Sequence, residues 1–511
     1  MLAFTLRAFD LTFNSAFEGE SFMILMGRGV LDGSPDVAEN LRSAFGWYAW
    51  PVLVAFADRF GGLQAARLLT CAAGTAAALG VFFLARRLFD ERTGLAAALL
   101  CAAFAPAIIV SRIATADAAG LALVAFTLAM VARAWHRESI ASWIAAAALA
   151  VLTVLVKHAL VLLLPMLGLL ALVLDRRRGW VFSALVIISV VAYVVLNGPA
   201  LRELLTLVAN ATRMQEHSFS VIGGDAIDVW ILWVLAAIGL LLADRAIRPS
   251  IALLCLGSLA LSLVPTSSSF DPHAWTNDVH AIIPLLPAAA VGAIAICDRI
   301  VKGQRALSSL LLLLLAGCLL IVGGRDLAPR SRGALMQWPN AAVVRDFVHE
   351  HVQYGQRVLV DDAALRYVLA ELTVPSRVKD ERVATINGVE ATAALAREVA
   401  DGTFDYIVID GNNTAAARVL HAAIEPVVMG RYVERMRALQ PNTGDDAVIY
   451  ERISPPVSRA VDAPTVQIES PLPDAVVEST GRPPGTDVVV RVEHVPHGAR
   501  LQFDVFTDQW Y

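Results

Sequence analysis

The chain has 511 residues, of which 57% are hydrophobic and 17% charged, with a mean hydropathy of +0.62. That balance is too apolar for an ordinary soluble enzyme and points to an integral membrane protein. A net charge of -5 argues against nucleic acid as a partner, since such binding needs a basic patch or stripe. Cys71, Cys101, Cys255, Cys297 and Cys318 all fall inside apolar runs, so no disulfide framework is expected.

The first polar landmark lies in residues 14–28 (NSAFEGESFMILMGR), where Glu18 and Glu20 are separated by one glycine and followed by Arg28. Residues 45–60 (FGWYAWPVLVAFADRF) are apolar and aromatic but too short to cross a bilayer. Trp47, Tyr48 and Trp50 prefer the headgroup layer, so an interfacial helix is expected there. Ten apolar runs then follow, at 63–84, 94–113, 117–135, 142–157, 158–174, 180–197, 229–243, 250–264, 280–297 and 307–323, each read as a candidate span. The fourth and fifth are nearly continuous and are divided at Lys157 and His158, because one unbroken run of that length would overshoot the hydrocarbon core.

Basic residues concentrate in every second connection: Arg86, Arg87 and Arg92; Arg133 and Arg137; Arg176, Arg177 and Arg178; Arg245 and Arg248; Arg299, Lys302 and Arg305. These loops are expected to face the cytoplasm. The alternate connections carry Glu18, Glu20, Arg112, Asp117, Lys157, His158, His273, Asn277, Asp278 and His280, and are expected outside, together with everything after about residue 324. The opening MLAFTLRAF lacks the features of a signal peptide, and is read as the outer end of a helix that begins upstream.

Beyond the spans the composition turns polar. Residues 340–452 are read as a small α/β domain, with RVLVDD and YIVIDG as parallel buried strands ending in acids. Residues 455–511, with TVQIES, DVVVRVEH and LQFDVFTD, are read as a small β module. The expected architecture is therefore a mostly α polytopic bundle with two soluble additions: 1–62 as acidic loop and interfacial helix, 63–323 as bundle, 340–452 as α/β domain and 455–511 as β module.

Ionisable groups at a membrane boundary cost free energy unless hydrated or paired, so their recurrence on one side suggests a lined cavity. No serine elbow and no thiol outside the spans supplies a nucleophile. The histidines lack zinc-ligand spacing, which leaves a divalent cation on carboxylates as an open option. The residue types suit proton abstraction and phosphate binding.

In order and spacing, residues 7–323 resemble the polyprenyl-phosphate-sugar-dependent glycosyltransferases of GT-C fold, in the branch of protein O-mannosyltransferases and lipid A aminoarabinose transferases. The resemblance rests on residues 17–21 (FEGES) and the interfacial helix, on Arg86-Arg87-Leu88-Phe89, and on residues 111–118 (SRIATADA). It continues with residues 154–158 (VLVKH) and 280–287 (HAIIPLLP). It implies Glu18, Glu20 and Asp117 as the acid machinery and Arg112, Lys157, His158 and His280 as the donor-phosphate clamp. Arg28, His273, Asn277 and Asp278 would serve the acceptor or the loop.

The implied partners are a polyprenyl-phosphate-linked sugar, membrane lipids, and a lipid, glycan or protein acceptor. The family's Asp-Glu pair is here Glu18-Gly19-Glu20, which leaves open whether Glu18 or Glu20 is the base, with Glu18 favoured, or whether Gly19 takes the catalytic place in an inactive relative. Where the family has arginine this chain has His280, which would make phosphate binding depend on pH. A multi-pass transporter or flippase is the rival reading, against which stand the polar groups at one edge and the lack of a repeat. A noncatalytic polyprenyl-lipid-binding relative is the third.

Overall fold

In the computed structural model the described residues are 1–12, 14–33, 49–196, 227–262, 280, 282–334, 341–353, 356–361, 363–370, 378–379, 389–409, 415–439, 446–453, 465–470 and 489–493. The chain divides into two units, residues 1–452 and 453–511.

The membrane body opens with two short helices, α1 (Leu2–Ala8) and α2 (Glu18–Leu31). Helix α3 (Ala49–Leu88) joins the expected interfacial helix to the first long span and breaks at Gly61 and Gly62. Gly62 has φ 62 and ψ -163, a region open only to glycine, so the chain turns there from the first limb into the span. Helices α4 (Glu91–Ala103) and α5 (Ala105–Ser111) are one apolar run bent by 64°. Phe104 between them is extended and Pro106 opens α5, which is what a proline does to the residues before it. Buried Arg7 braces this bend, donating to the Cys101 carbonyl at 3.3 Å and to Ser111 Oγ at 3.3 Å.

Then come α6 (Asp117–Arg137) and α7 (Ile140–Val156), a 3₁₀ segment (His158–Leu163) that leads into α8 (Leu164–Leu174), and α9 (Gly179–Leu196). Helices α10 (Ile227–Leu242) and α11 (Arg248–Ser262) follow. A second 3₁₀ turn (Ile283–Leu285) leads into α12 (Leu286–Ile300), and α13 (Arg305–Ala334) closes the bundle. Among the described residues four helices are long and apolar enough to cross a membrane, or five with the bent pair, and five further apolar helices are shorter. The last helix runs on past the expected end of its span at residue 323 as far as Ala334.

One alanine- and leucine-rich core runs through the bundle. The basic turns meet at one end: Arg92 pairs with Asp298 (2.6 Å), Arg178 with Glu138 (3.0 Å), and Arg87 donates to the Ala129 carbonyl (2.7 Å). The acidic segments meet at the other end, as described below.

The α/β domain comprises α14 (Ala342–His351), β1 (Val358–Val360), α15 (Ala363–Leu369), β2 (Val378–Lys379), α16 (Val389–Ala400), β3 (Tyr406–Ile409), α17 (Ala415–Arg431), β4 (Tyr432–Leu439) and β5 (Asp446–Arg452). The strand order is β2-β1-β3-β5-β4. Strand β1 is parallel to β2 and β3, while β5 is antiparallel to both of its neighbours.

Alternation along the strands sends side chains to opposite faces. Val358, Val360 and Val408 pack with α14 and α15, and Leu359, Ile407 and Ile409 with α16 and α17. The second unit contains the antiparallel pair β6 (Thr465–Ser470) and β7 (Val489–Glu493). The expected strand LQFDVFTD lies outside the described residues.

Candidate active site

The turn at residues 112–117, between α5 and α6, is the hub of the polar end of the body. Its Ala114 N–H donates to Glu20 Oε1 at 2.7 Å. Its Thr115 carbonyl accepts from the Trp50 indole at 2.9 Å, which fastens the first limb of α3 to the turn. The Thr115 hydroxyl donates to Asp117 Oδ2 at 2.8 Å.

Glu20 is fully buried in the first turn of α2. Besides Ala114 N–H, it accepts from the Phe17 N–H at 3.0 Å, as in a capping box. It also forms a bidentate pair with Arg67, at 2.9 Å from Nε and 2.7 Å from Nη2. Arg67, equally buried, spends its remaining donors on the carbonyls of Leu11 (2.7 Å), Asn14 (3.0 Å) and Ser15 (3.0 Å). This one arginine, about one turn into the α3 span limb, shapes the whole stretch before α2. A carboxylate has about four lone-pair sites, and four donors occupy those of Glu20. No direction is left for a substrate hydroxyl.

Glu18 is the first residue of α2. Its side chain lies outside the described atoms. The neighbouring backbone is close to the hub, since a Cβ added to Gly19 would stand 3.5 Å from the Thr115 methyl.

Asp117 opens α6, where a carboxylate complements the positive helix terminus. Its Oδ1 receives the Lys157 ammonium. Lys157 stands in extended conformation just past α7 and keeps 17% of its side chain exposed, so this cation borders solvent. Arg112 donates to the Asp10 carbonyl at 2.6 Å.

His280 is fully buried, with Nε2 at 3.1 Å from the Asp117 carbonyl. A carbonyl only accepts, so Nε2 carries the proton in this contact. Gly120, one helical turn into α6, makes room for the ring: a Cβ there would meet Nε2 at 2.9 Å. His158 starts the 3₁₀ segment after Lys157. His273, Asn277 and Asp278 lie outside the described residues. Among the described residues no group of three or more His, Cys, Asp or Glu side chains is placed to hold a metal ion.

Arg28, in the last turn of α2, pairs with Asp58 on the first limb of α3 at 2.6 Å. Sequence reading singled out neither Asp58 nor Arg67. Arg67 falls among the apolar residues that mark a span, and its partner Glu20 lies 47 positions away. The visible signal was an arginine set a turn inside an otherwise apolar run, which is costly unless paired.

An open cavity of about 570 Å³ lies beside this cluster, lined by Asn14, Ser15, Gly62, Gln64, Arg67 and Tyr367 among others.

The helical membrane body, with its broken outer helix and a lysine–aspartate pair at one end, has the GT-C membrane fold. ArnT from Cupriavidus metallidurans bound to undecaprenyl phosphate is similar to 88% of this chain over 97% of its own, at 14% identity and a TM-score of 0.54. Its apo form matches 86% of this chain and 93% of its own, at 14% identity and a TM-score of 0.52. No curated protein matches the sequence. Residues 45–201 match the family described as Dolichyl-phosphate-mannose-protein mannosyltransferase. The chain thus shares the fold of ArnT and is similar over residues 45–201 to the mannosyltransferase family, and it is a multi-pass membrane protein.

Proposed function

We propose that the chain transfers a hexose or pentose from a polyprenyl-phosphate donor to a hydroxyl on a lipid, glycan or protein acceptor, at the outer face of the inner membrane. The observation that carries this reading is the convergence of α2, α6 and the α7 terminus on the 112–117 turn, which sets an acidic helix start beside a solvent-bordering lysine. The undecaprenyl phosphate held by the ArnT relative supports a lipid of the same class as donor carrier.

In this reaction the acceptor oxygen attacks the anomeric carbon as the bond from that carbon to the lipid phosphate breaks. Glu18 takes the acceptor proton, because Glu20 is already saturated by Arg67, Ala114 and Phe17. Lys157 and Arg112 stabilise the charge gathering on the departing phosphate, with His158 next to Lys157 in sequence. Asp117 orients Lys157 through their ion pair, and His280 holds the start of α6 from behind through the Asp117 carbonyl. Arg28, with Asp58, fixes the far end of α2.

The first test is donor-lipid binding by the purified protein. Polyprenyl phosphate should bind the wild type, and Lys157→Ala should weaken it by about 10- to 100-fold, the loss of one charge-assisted contact. Unchanged binding in Lys157→Ala would remove the clamp.

A transporter reading draws on one observation, the helix pair bent by 64° with buried Arg7 at its break, since broken helices mark transport sites. Movement of polyprenyl phosphate across a vesicle bilayer without sugar transfer would favour it.

A further inference from the structure

We infer that helix α15 of the α/β domain is a built-in clamp on the acid-bearing helix α2, and that Tyr367 is a positioning residue for it. The domain would then complete the active end rather than cap the fold or merely gather acceptor.

Helix α15 is buried on two sides. Leu365 and Leu369 face the sheet of their own domain. Ala364 and Tyr367, spaced three apart on another side of the helix, face the membrane body instead, and Val368 touches both sheet and body. Ala364 is fully buried against Phe17 and Ile113. Phe17 directly precedes Glu18 and caps α2, and Ile113 belongs to the hub turn. Tyr367 packs with Ala16, Ile24, Trp50 and Val54.

The polar contacts of Tyr367 reach the same helix. Its hydroxyl donates to Asp58 Oδ1 at 2.7 Å, and the Arg28 guanidinium lies over its ring, 5.1 Å from the centroid. The Asp58 carboxylate is wholly buried, so its two oxygens need both partners, Tyr367 on one and Arg28 on the other. Tyr367 thereby closes a three-part link between α15, the first limb of α3 and the last turn of α2. A second link lies at the domain's entry, where the Ala341 N–H donates to Ser15 Oγ at 3.1 Å. The start of α2 is held through Phe17 and its end through Arg28, both from one helix of the α/β domain.

The catalytic arm of the test rests on Glu18 being the base, as proposed above, whereas the structural arm does not. The full chain is followed by hydrogen exchange, by thermal melting in detergent and by donor turnover, as wild type, Tyr367→Phe and Ala364→Leu. Tyr367→Phe keeps the ring over Arg28 and removes only the hydroxyl. It should raise amide exchange in residues 18–31 about 10-fold, the factor expected for losing one hydrogen bond to a buried charge. Exchange in α6, α7 and α12 should rise much less, and the melting temperature should fall by no more than a few degrees. kcat should fall by a similar factor with the donor KM within about two-fold, the mark of a misplaced base rather than lost donor binding. Ala364→Leu, which wedges α15 away from Phe17, should change both readouts in the same direction.

Wild-type exchange in residues 18–31 in both variants would overturn the clamp, as would a rise spread evenly over the body with a larger fall in melting temperature. A wild type that transfers no sugar defeats the functional reading alone, and the exchange pattern then decides the clamp by itself.

Discussion

Glu18 and Glu20 stand two residues apart and are assigned opposite duties. Glu18→Gln should fold normally and lose about 100- to 10,000-fold in turnover, the usual contribution of a general base, read by steady-state kinetics beside the melting curve. Arg67→Met should instead strand the buried Glu20 carboxylate and cost about 3–5 kcal/mol of stability, seen as a lowered melting temperature with or without substrate. Residue type and position near helix ends drew attention to Glu18, Glu20, Asp117, Arg112 and Lys157 in the sequence. Their partners were not legible there. Arg67 satisfies Glu20, and Asp58 with Tyr367 satisfies Arg28, through separations of 47, 30 and 309 positions. Nothing in local pattern links such pairs, because the packing that joins them is tertiary. His280 carried a motif-based expectation of phosphate contact, and its Nε2 is turned to the Asp117 carbonyl, an orientation that only coordinates reveal.

Among the elements, the apolar helices could be read with errors of a few residues because their signal is length and hydropathy, which the bilayer itself enforces. The bends were harder. Gly61 and Gly62 sit between two apolar runs, and only their φ and ψ show that the helix breaks there before running on into the span. Gly62→Ala should cost about 1–3 kcal/mol through backbone strain, measured by melting. It should also reduce turnover, because the limb before the break carries Trp50 and Asp58.

In the α/β domain β1 and β3 were visible as compact apolar runs, and they are parallel as expected. Strands β4 and β5 escaped because the exposed, charged face of β4 (YVERMRAL) dilutes its pattern. The Tyr432 phenol at the start of β4 is pushed up to about 12 by burial, while it hydrogen-bonds the Phe404 carbonyl at 3.1 Å. The folded state thus holds this proton more tightly than the unfolded chain, whose phenol titrates near 10. Its contribution is complete below about pH 10 and lost as pH rises through about 12. Alkaline unfolding of the domain, followed by circular dichroism, should begin in that window and shift upward in Tyr432→Phe.

At the scale of the molecule, the alternation of basic and acidic connections is matched by two separate polar ends. Arg87, Arg92 and Arg178 are fixed at one, and Glu20, Asp117 and Lys157 at the other with α15 against them. Hydropathy and charge spacing made this segregation readable, because the bilayer permits few alternatives. The closing of the α/β domain over the acidic loop was not readable, since its contacts with α2 and α3 come from isolated residues on one helix face. Glycosyl transfer from a lipid phosphate is the activity proposed for the acid-bearing end. Its most direct measurement is transfer of labelled sugar from polyprenyl-phosphate donors to envelope acceptors by the purified protein, with Glu18→Gln as the control. Transfer is expected from the wild type, with a loss of at least about 100-fold in Glu18→Gln while folding stays intact; equal turnover by the two proteins, or none by the wild type with any donor, would rule the proposed activity out.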